Sequence, residues 1–295
     1  MISGVREREI IQCASDTVSQ HGFTALPVDP KRIAEQHHIK LMPWKPEKIG
    51  ISGFLMKMGD DFGIGYSTAI ENVGFINFTV AHELGHYFIS GHIESVIGAG
   101  NGTHYSASGF VSDEAHEREA DLFAAELLMP QQFFRSALED AGSGFRAIET
   151  LAENARTSIV ATAIRFAKFC DDPTAVILSS DSQIEWCFLS KELKACPGVY
   201  QLAKKSVVPL TSATAKFNKD VRRRERCDRV ESSCSLTDWF ERAPDVEVNE
   251  DVVGLGHYGK TLTVLFADGL PTEDGESDEE EADFGLPSSR WRARD

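Results

Sequence analysis

Residues 77–88 read NFTVAHELGHYF, an apolar stretch interrupted by one polar pattern, His82-Glu83-x-x-His86. The apolar positions recur at helical spacing. On a helix turning about 100° per residue, His82 and His86 fall about 40° apart, so both imidazoles leave one side and can grip one ion. Ala81, Leu84 and Phe88 fall within about 60° of each other on a separate face, which is free to pack. Gly85 lies between the two faces, where the missing side chain permits close approach of a neighbouring element. Glu83 points too far round to coordinate easily, but it is placed to take a proton from a water beside the ion. Such a pattern arises by chance on the order of a few per cent of the time in a chain with this many His and Glu, so its surroundings must carry the reading.

The surroundings supply a third ligand. In VSDEAHEREADLFAAELLMP, residues 111–130, Ser112 or Asp113 can cap a helix that Pro130 terminates. Glu117 and Asp121 lie four apart and share a face. A carboxylate ligand followed one turn later by an Asp suits a catalytic zinc site, because the Asp can accept a hydrogen bond from the distal nitrogen of a ligand histidine. Glu119 competes with Glu117 on composition alone, and Asp121 could equally serve a plain salt bridge. Two His and one Glu leave a fourth position open, the arrangement of catalytic rather than structural zinc, and such a centre hydrolyses peptides. Manganese suits the same donors. His92, His104, His116 and Tyr105 are near in sequence and one of them could steady an oxyanion. Each taken singly reads as an ordinary loop or helix residue, and Tyr87 receives no role.

Elsewhere the pattern predicts a helix over Gly4–His21, a second helix capped by Asp29 with Pro30 in its first turn, and a short strand through Ile39, Leu41 and Met42. GISGFLMKMGDDFGIGYS reads as a hairpin turning at Gly59-Asp60-Asp61. Its Gly-rich return at Gly63, Ile64, Gly65 and Tyr66 is a candidate edge to which an extended substrate could add as a strand. Helices are expected around 78–90 and 113–129, with the intervening Gly- and Ser-rich segment a loop. GAGNGT, residues 98–103, lacks the strand and lysine of a phosphate loop. Residues 131–170 are helical in pattern until Asp171-Asp172-Pro173 breaks it. TAVILSSDSQIEWCFLS and TLTVLFAD read as strands.

Three segments, SGFL, FTVAHELGHYF and EREADLFAAELLMP, resemble in order and spacing the ImmA/IrrE family of metallopeptidases, over about residues 5–170. The resemblance implies that Glu117 ligates the metal and that Glu119 stays on the helix surface. It also implies a protease that cuts an XRE-type helix-turn-helix repressor and so induces a stress-response or mobile-element regulon. Residues beyond 158 look like the longer members, which carry a helical linker and a sensory domain similar to GAF domains. The expected organisation is α+β. Residues 1–130 are expected to form a zincin-like peptidase domain and 131–172 a helical linker with helix-turn-helix-like spacing; 173–270 are expected to form an α/β GAF-like domain and 271–295 a disordered acidic tail.

Composition narrows the partners. Of the net charge of −16, eight negative charges fall between Glu273 and Asp283 with no Lys or Arg among them, so the rest of the chain is only mildly acidic. Direct nucleic-acid binding needs a surplus of Lys and Arg and is disfavoured. Arg222, Arg223, Arg224, Arg226 and Arg229 are interleaved with acids and read as a solvated helix face or a partner for the acidic tail. The N-terminus offers neither a signal peptide nor a membrane span, which predicts a cytoplasmic protein with six reduced cysteines. The competing readings are a nucleic-acid-associated or toxin-antitoxin-linked regulator in which the metal site is secondary, and a ligand sensor with a degenerate peptidase.

Overall fold

The computed structural model describes residues 2–45, 50–98, 102–107, 114–256, 259–267 and 269–270. The expected tail at 271–295 and the expected caps Ser112 and Asp113 lie outside the described residues. Helix α1 (Gly4–Gln20) is capped by Ser3, and α2 (Pro30–Gln36) by Asp29, whose side chain accepts from Lys31 N and Arg32 N. Strand β1 (Lys40–Trp44) follows, then the hairpin of β2 (Ile51–Met58) and β3 (Asp61–Ser67). Helix α3 (Val73–Phe88) carries the His-Glu-x-x-His pattern and is capped by Asn72.

The segment expected as a loop holds a short helix, α4 (His92–Val96), and a strand, β4 (Gly102–Ala107). Its Gly-rich flanks conceal a run, Thr-His-Tyr-Ser, whose β-formers find a partner only in β2, some fifty residues earlier in the chain. The four strands run in the order β1-β3-β2-β4, with β1 parallel to β3 and the other pairs antiparallel. The Gly63–Tyr66 return is therefore interior, hydrogen-bonded on both sides, and is not a docking edge. The edges belong to β1 and β4.

Helix α5 (Ala115–Leu128) packs on α3 and on α1. Gly85 makes the first contact possible: a Cβ there would lie 3.1 Å from Ala120 Cα. Leu55, Ile64, Val80, Leu84, Phe123 and Leu127 are fully buried between the sheet and these helices. Helices α6 (Gln131–Glu139), α7 (Gly144–Ala155) and α8 (Ile159–Phe169) come next. α7 and α8 meet through Arg156, whose left-handed φ of 52° makes the tight turn. Buried Arg165 of α8 forms an ion pair with Glu126 of α5 and also donates to the Met129 carbonyl.

The remaining strands are β5 (Thr174–Ser180), β6 (Gln183–Leu189), β7 (Arg229–Ser235), β8 (Glu247–Gly254) and β9 (Lys260–Phe266). They form one antiparallel sheet in the order β6-β5-β9-β8-β7. Between β6 and β8 the chain adds α9 (Lys191–Ala195), α10 (Ala213–Asn218), α11 (Val221–Glu225) and α12 (Leu236–Trp239). Both sheet faces are covered. Val176, Leu178, Leu262 and Val264 join the cluster that runs back through Phe145, Ile148 and Phe166 to the first sheet. Ala175, Ile177 and Leu265 join a second cluster with Leu236, Trp239 and Phe240.

The arginine-rich segment is not a uniformly solvated face. Arg224 is buried and bonds Asp181 and the Gly259 carbonyl, while Arg229 bonds Glu149 and Asp251. No helix of the described residues is long and apolar enough to cross a membrane, and the six cysteines are unpaired.

Candidate metal centre

Helix α3 delivers His82 and His86 from one face, as their four-residue spacing requires, and α5 delivers Glu117 opposite them. The two Nε2 atoms lie 3.1 Å apart. His82 Nε2 is 3.4 Å from Glu117 Oε2, and His86 Nε2 is 3.3 Å from Glu117 Oε1. One ligand atom from each residue falls within 4.8 Å of the others, and all three residues are buried. Both rings are engaged through Nδ1 elsewhere: His82 with Asp121 Oδ1 at 2.9 Å, His86 with His92 Nδ1 at 3.1 Å. The two Nε2 atoms are thereby left converging on one point with a carboxylate facing them. Such convergence of like poles suits a cation.

Glu83 supports the same fit. It is completely buried, and neither carboxylate oxygen has a hydrogen-bond partner in the protein. A carboxylate so placed costs free energy unless something outside the chain satisfies it. Burial pushes it up to about 7, against the lowering influence of His82. Room for it comes from β2, where a Cβ on Gly53 would lie 2.9 Å from Glu83 Oε1 and 2.5 Å from the Thr79 methyl.

The charges around the convergence point are sorted by the same contacts. Burial opposes ionisation of Glu117, yet the imidazoles of His104, His82 and His86 around it hold its carboxyl well below the usual carboxylate range. Burial likewise opposes charge on His82, but Asp121 and Glu117 raise it to about 10. His86, with no carboxylate on Nδ1, is pushed down by burial to about 4.

Two residues that the sequence left without a role, His104 and His92, and one expected on the helix surface, Glu119, join the centre. His104, at an edge of the first sheet on β4, places Nε2 2.8 Å from Glu117 Oε1. Its signal was the β-forming run around it, masked by glycine and serine. His92, at the start of α4, stacks beyond His86 and bonds Glu119 Oε2 at 3.0 Å. Glu119 is not a surface residue: it is buried and also accepts from Arg6 Nε at 2.9 Å. The expected surface position fails because α1 crosses α5 at that point. His116 lies against the His92 ring, and Tyr105 is exposed on β4.

Residues 76–167 match the peptidase M78 family model, described as an IrrE N-terminal-like domain. No curated protein matches the chain. Among solved structures, a Mycobacterium tuberculosis transcriptional regulator superposes with a TM-score of 0.57 at 14% identity, over 88% of this chain and 76% of that one. At that identity the likeness is one of fold. Residues 76–167 thus match an IrrE N-terminal-like domain of the metallopeptidase type, and the matched span takes in His82, Glu83, His86 and Glu117.

Proposed function

We propose that the protein is a zinc-dependent endopeptidase in which His82, His86 and Glu117 hold the ion and Glu83 moves the proton. The observation that carries the reading is the buried, unpartnered Glu83 carboxylate beside two Nε2 atoms and a glutamate that converge on one point. A divalent ion held there would polarise a substrate carbonyl and acidify a water; zinc suits the two imidazoles and one carboxylate, and manganese is the alternative.

The side chains divide the remaining work. Glu83 accepts a proton from the attacking water on a carboxylate oxygen and returns it to the leaving amine. Burial, which pushes its carboxyl up to about 7 without a metal, makes it a stronger proton acceptor than an exposed glutamate. Asp121 accepts the Nδ1 proton of His82, so that Nε2 is left as the ligand atom. His104 donates Nε2–H to Glu117 and fixes the carboxylate toward the histidines. Among the described residues strand β4 is paired on one side only, and that edge near His104 is where an extended substrate would add as a further strand.

The proposed substrate is a protein, an XRE-type helix-turn-helix repressor whose cleavage would relieve repression in the cytoplasm. The five-stranded sheet of residues 174–266 is proposed as the GAF-like sensory part that governs this activity. The rival nucleic-acid reading loses one of its few cations, because Arg165 is buried against Glu126. The test is to incubate the purified chain and zinc with the repressor encoded beside it, for the wild type and for Glu83→Ala. Cleavage by the wild type alone supports the proposal. Metal binding without Glu83-dependent cleavage sinks it, and a salt-dependent DNA shift by this chain alone would favour the nucleic-acid reading.

A further inference from the structure

His92, His116 and Glu119 also bring one potential ligand atom each within 4.8 Å of one another, beside the proposed zinc ligands. A second ion is one reading of this cluster, but the hydrogen bonds point elsewhere. Glu119 Oε2, the oxygen that His92 meets, already accepts from Arg6 Nε at 2.9 Å and lies 2.8 Å from Arg6 Nη2. The guanidinium neutralises the carboxylate and occupies its approach.

The protons can be followed through the contacts. His92 Nε2 lies 3.0 Å from Glu119 Oε2, which can only accept, so His92 carries its proton on Nε2. Neutral His92 then presents a lone pair at Nδ1, 3.1 Å from His86 Nδ1. That contact is a hydrogen bond only if His86 is protonated at Nδ1, which leaves the His86 Nε2 lone pair aimed at His82 and Glu117. Every donor meets one acceptor along the line, and His92 is completely shielded from water that could substitute for either partner.

We propose that Arg6, Glu119 and His92 form a relay from helix α1 that sets the tautomer and ring orientation of His86. The inference rests on the reading of His86 as a metal ligand. The two histidines are then oriented differently: His82 directly by Asp121, His86 through an imidazole that is itself held by an ion pair. Arg6 also donates to the Ser90 carbonyl at 3.2 Å, so the same side chain fixes the turn that follows α3. His92 and Arg6 are positioning residues. They do not face the substrate.

The test uses the full chain with zinc as probe, its affinity measured by competition with a chromophoric chelator. Removal of an outer partner of a ligand histidine typically weakens metal binding about 10–100-fold. His92→Leu should fall in that range. His92→Gln, whose side-chain carbonyl can accept the Nδ1 proton, should recover part of the loss. Because His92 is buried, Arg6→Gln at a partly exposed helix position provides a second variant, expected to weaken zinc about tenfold. Long-range proton–nitrogen NMR of the histidine rings in the wild-type chain without metal should show His86 protonated at Nδ1 and His92 at Nε2. A merely structural role for His92 would not fix those tautomers.

If His82→Ala and His86→Ala lose zinc while His92→Leu and Arg6→Gln bind within twofold of wild type, the relay is wrong and the ligand assignment stands. If His82→Ala and His86→Ala bind as wild type does, the ligand assignment itself fails. His92 protonated at Nδ1, or a second zinc per chain that disappears in His116→Ala, would overturn the relay in favour of a second site.

Discussion

At the scale of single residues, Glu83 differs in kind from its neighbours. His82, His86 and Glu117 each have a partner within the protein, whereas both oxygens of Glu83 have none. A fold that leaves a buried carboxylate unpartnered gives up stability, and such sites are where function is expected. Glu83→Gln keeps the shape and removes the proton acceptor. We expect hydrolysis to fall about 10²–10⁴-fold, the range for loss of a general base, with zinc content per chain unchanged. Cleavage assays paired with elemental analysis decide the matter, and loss of zinc in that variant would move Glu83 from the proton to the ligand set. Gly53→Val should act on the same group from the other side, because even a Cβ there meets Thr79, Glu83 and the Gly65 carbonyl at 2.9 Å or less. Its activity should drop without any change in the ligands themselves. The grouping of His82 with His86, and of Glu117 with Asp121, was legible in the sequence because helical spacing fixes which residues share a face, while the choice of Glu117 over Glu119 leaned on the family resemblance. His104, His92 and Glu119 were not. Their places depend on β4 finding β2 and on α1 crossing α5, contacts between distant segments that no local period encodes.

At the scale of elements, the centre depends on the fit of α3 against α5. Gly85 permits the approach, and the buried Glu126–Arg165 pair ties the far end of α5 to α8. Removal of one partner of a buried ion pair leaves an uncompensated charge and costs about 3–5 kcal/mol. Glu126→Ala should therefore lower the melting temperature by roughly 6–20 °C at about 2–4 °C per kcal/mol. Glu126→Leu combined with Arg165→Met, which removes both charges, should recover most of the loss. Calorimetry on the single and double variants checks this. An equal loss in both would show that the pair acts through packing and not through charge. The hairpin, the capped α2 and the breaking of α8 before Pro173 were all readable, since Asp29-Pro30, Gly59-Asp60-Asp61 and Asp171-Asp172-Pro173 are local stop signals. The position of β3 inside its sheet was not. β1 reaches it by a parallel pairing that the alternation of one strand cannot announce.

At the scale of the whole molecule, strand β5 is buried on both faces, and its run TAVIL does not alternate with polar residues. The structure gives the two faces different neighbours. Val176, Leu178, Leu262 and Val264 share a cluster with Phe145, Ile148 and Phe166 of α7 and α8, and that cluster continues to Leu84 and Leu127 behind the metal centre. Arg229 adds a polar tie, bonding Glu149 of α7 and Asp251 of β8. The helices therefore have no outer face of their own on the side of the five-stranded sheet. Burial of an aliphatic side chain is worth about 1.5–3 kcal/mol, so the four on the sheet represent roughly 6–12 kcal/mol. That is comparable to the whole stability of a typical domain, about 5–15 kcal/mol. A fragment ending at residue 172 should thus lose cooperative thermal unfolding, bind a hydrophobic dye and take up zinc weakly, while the chain to residue 270 unfolds in one transition. A fragment of 172 residues that melts cooperatively at the temperature of the longer chain would show that the shared cluster does not couple the two parts. Any signal received by the sheet would then have to reach the metal centre by another route.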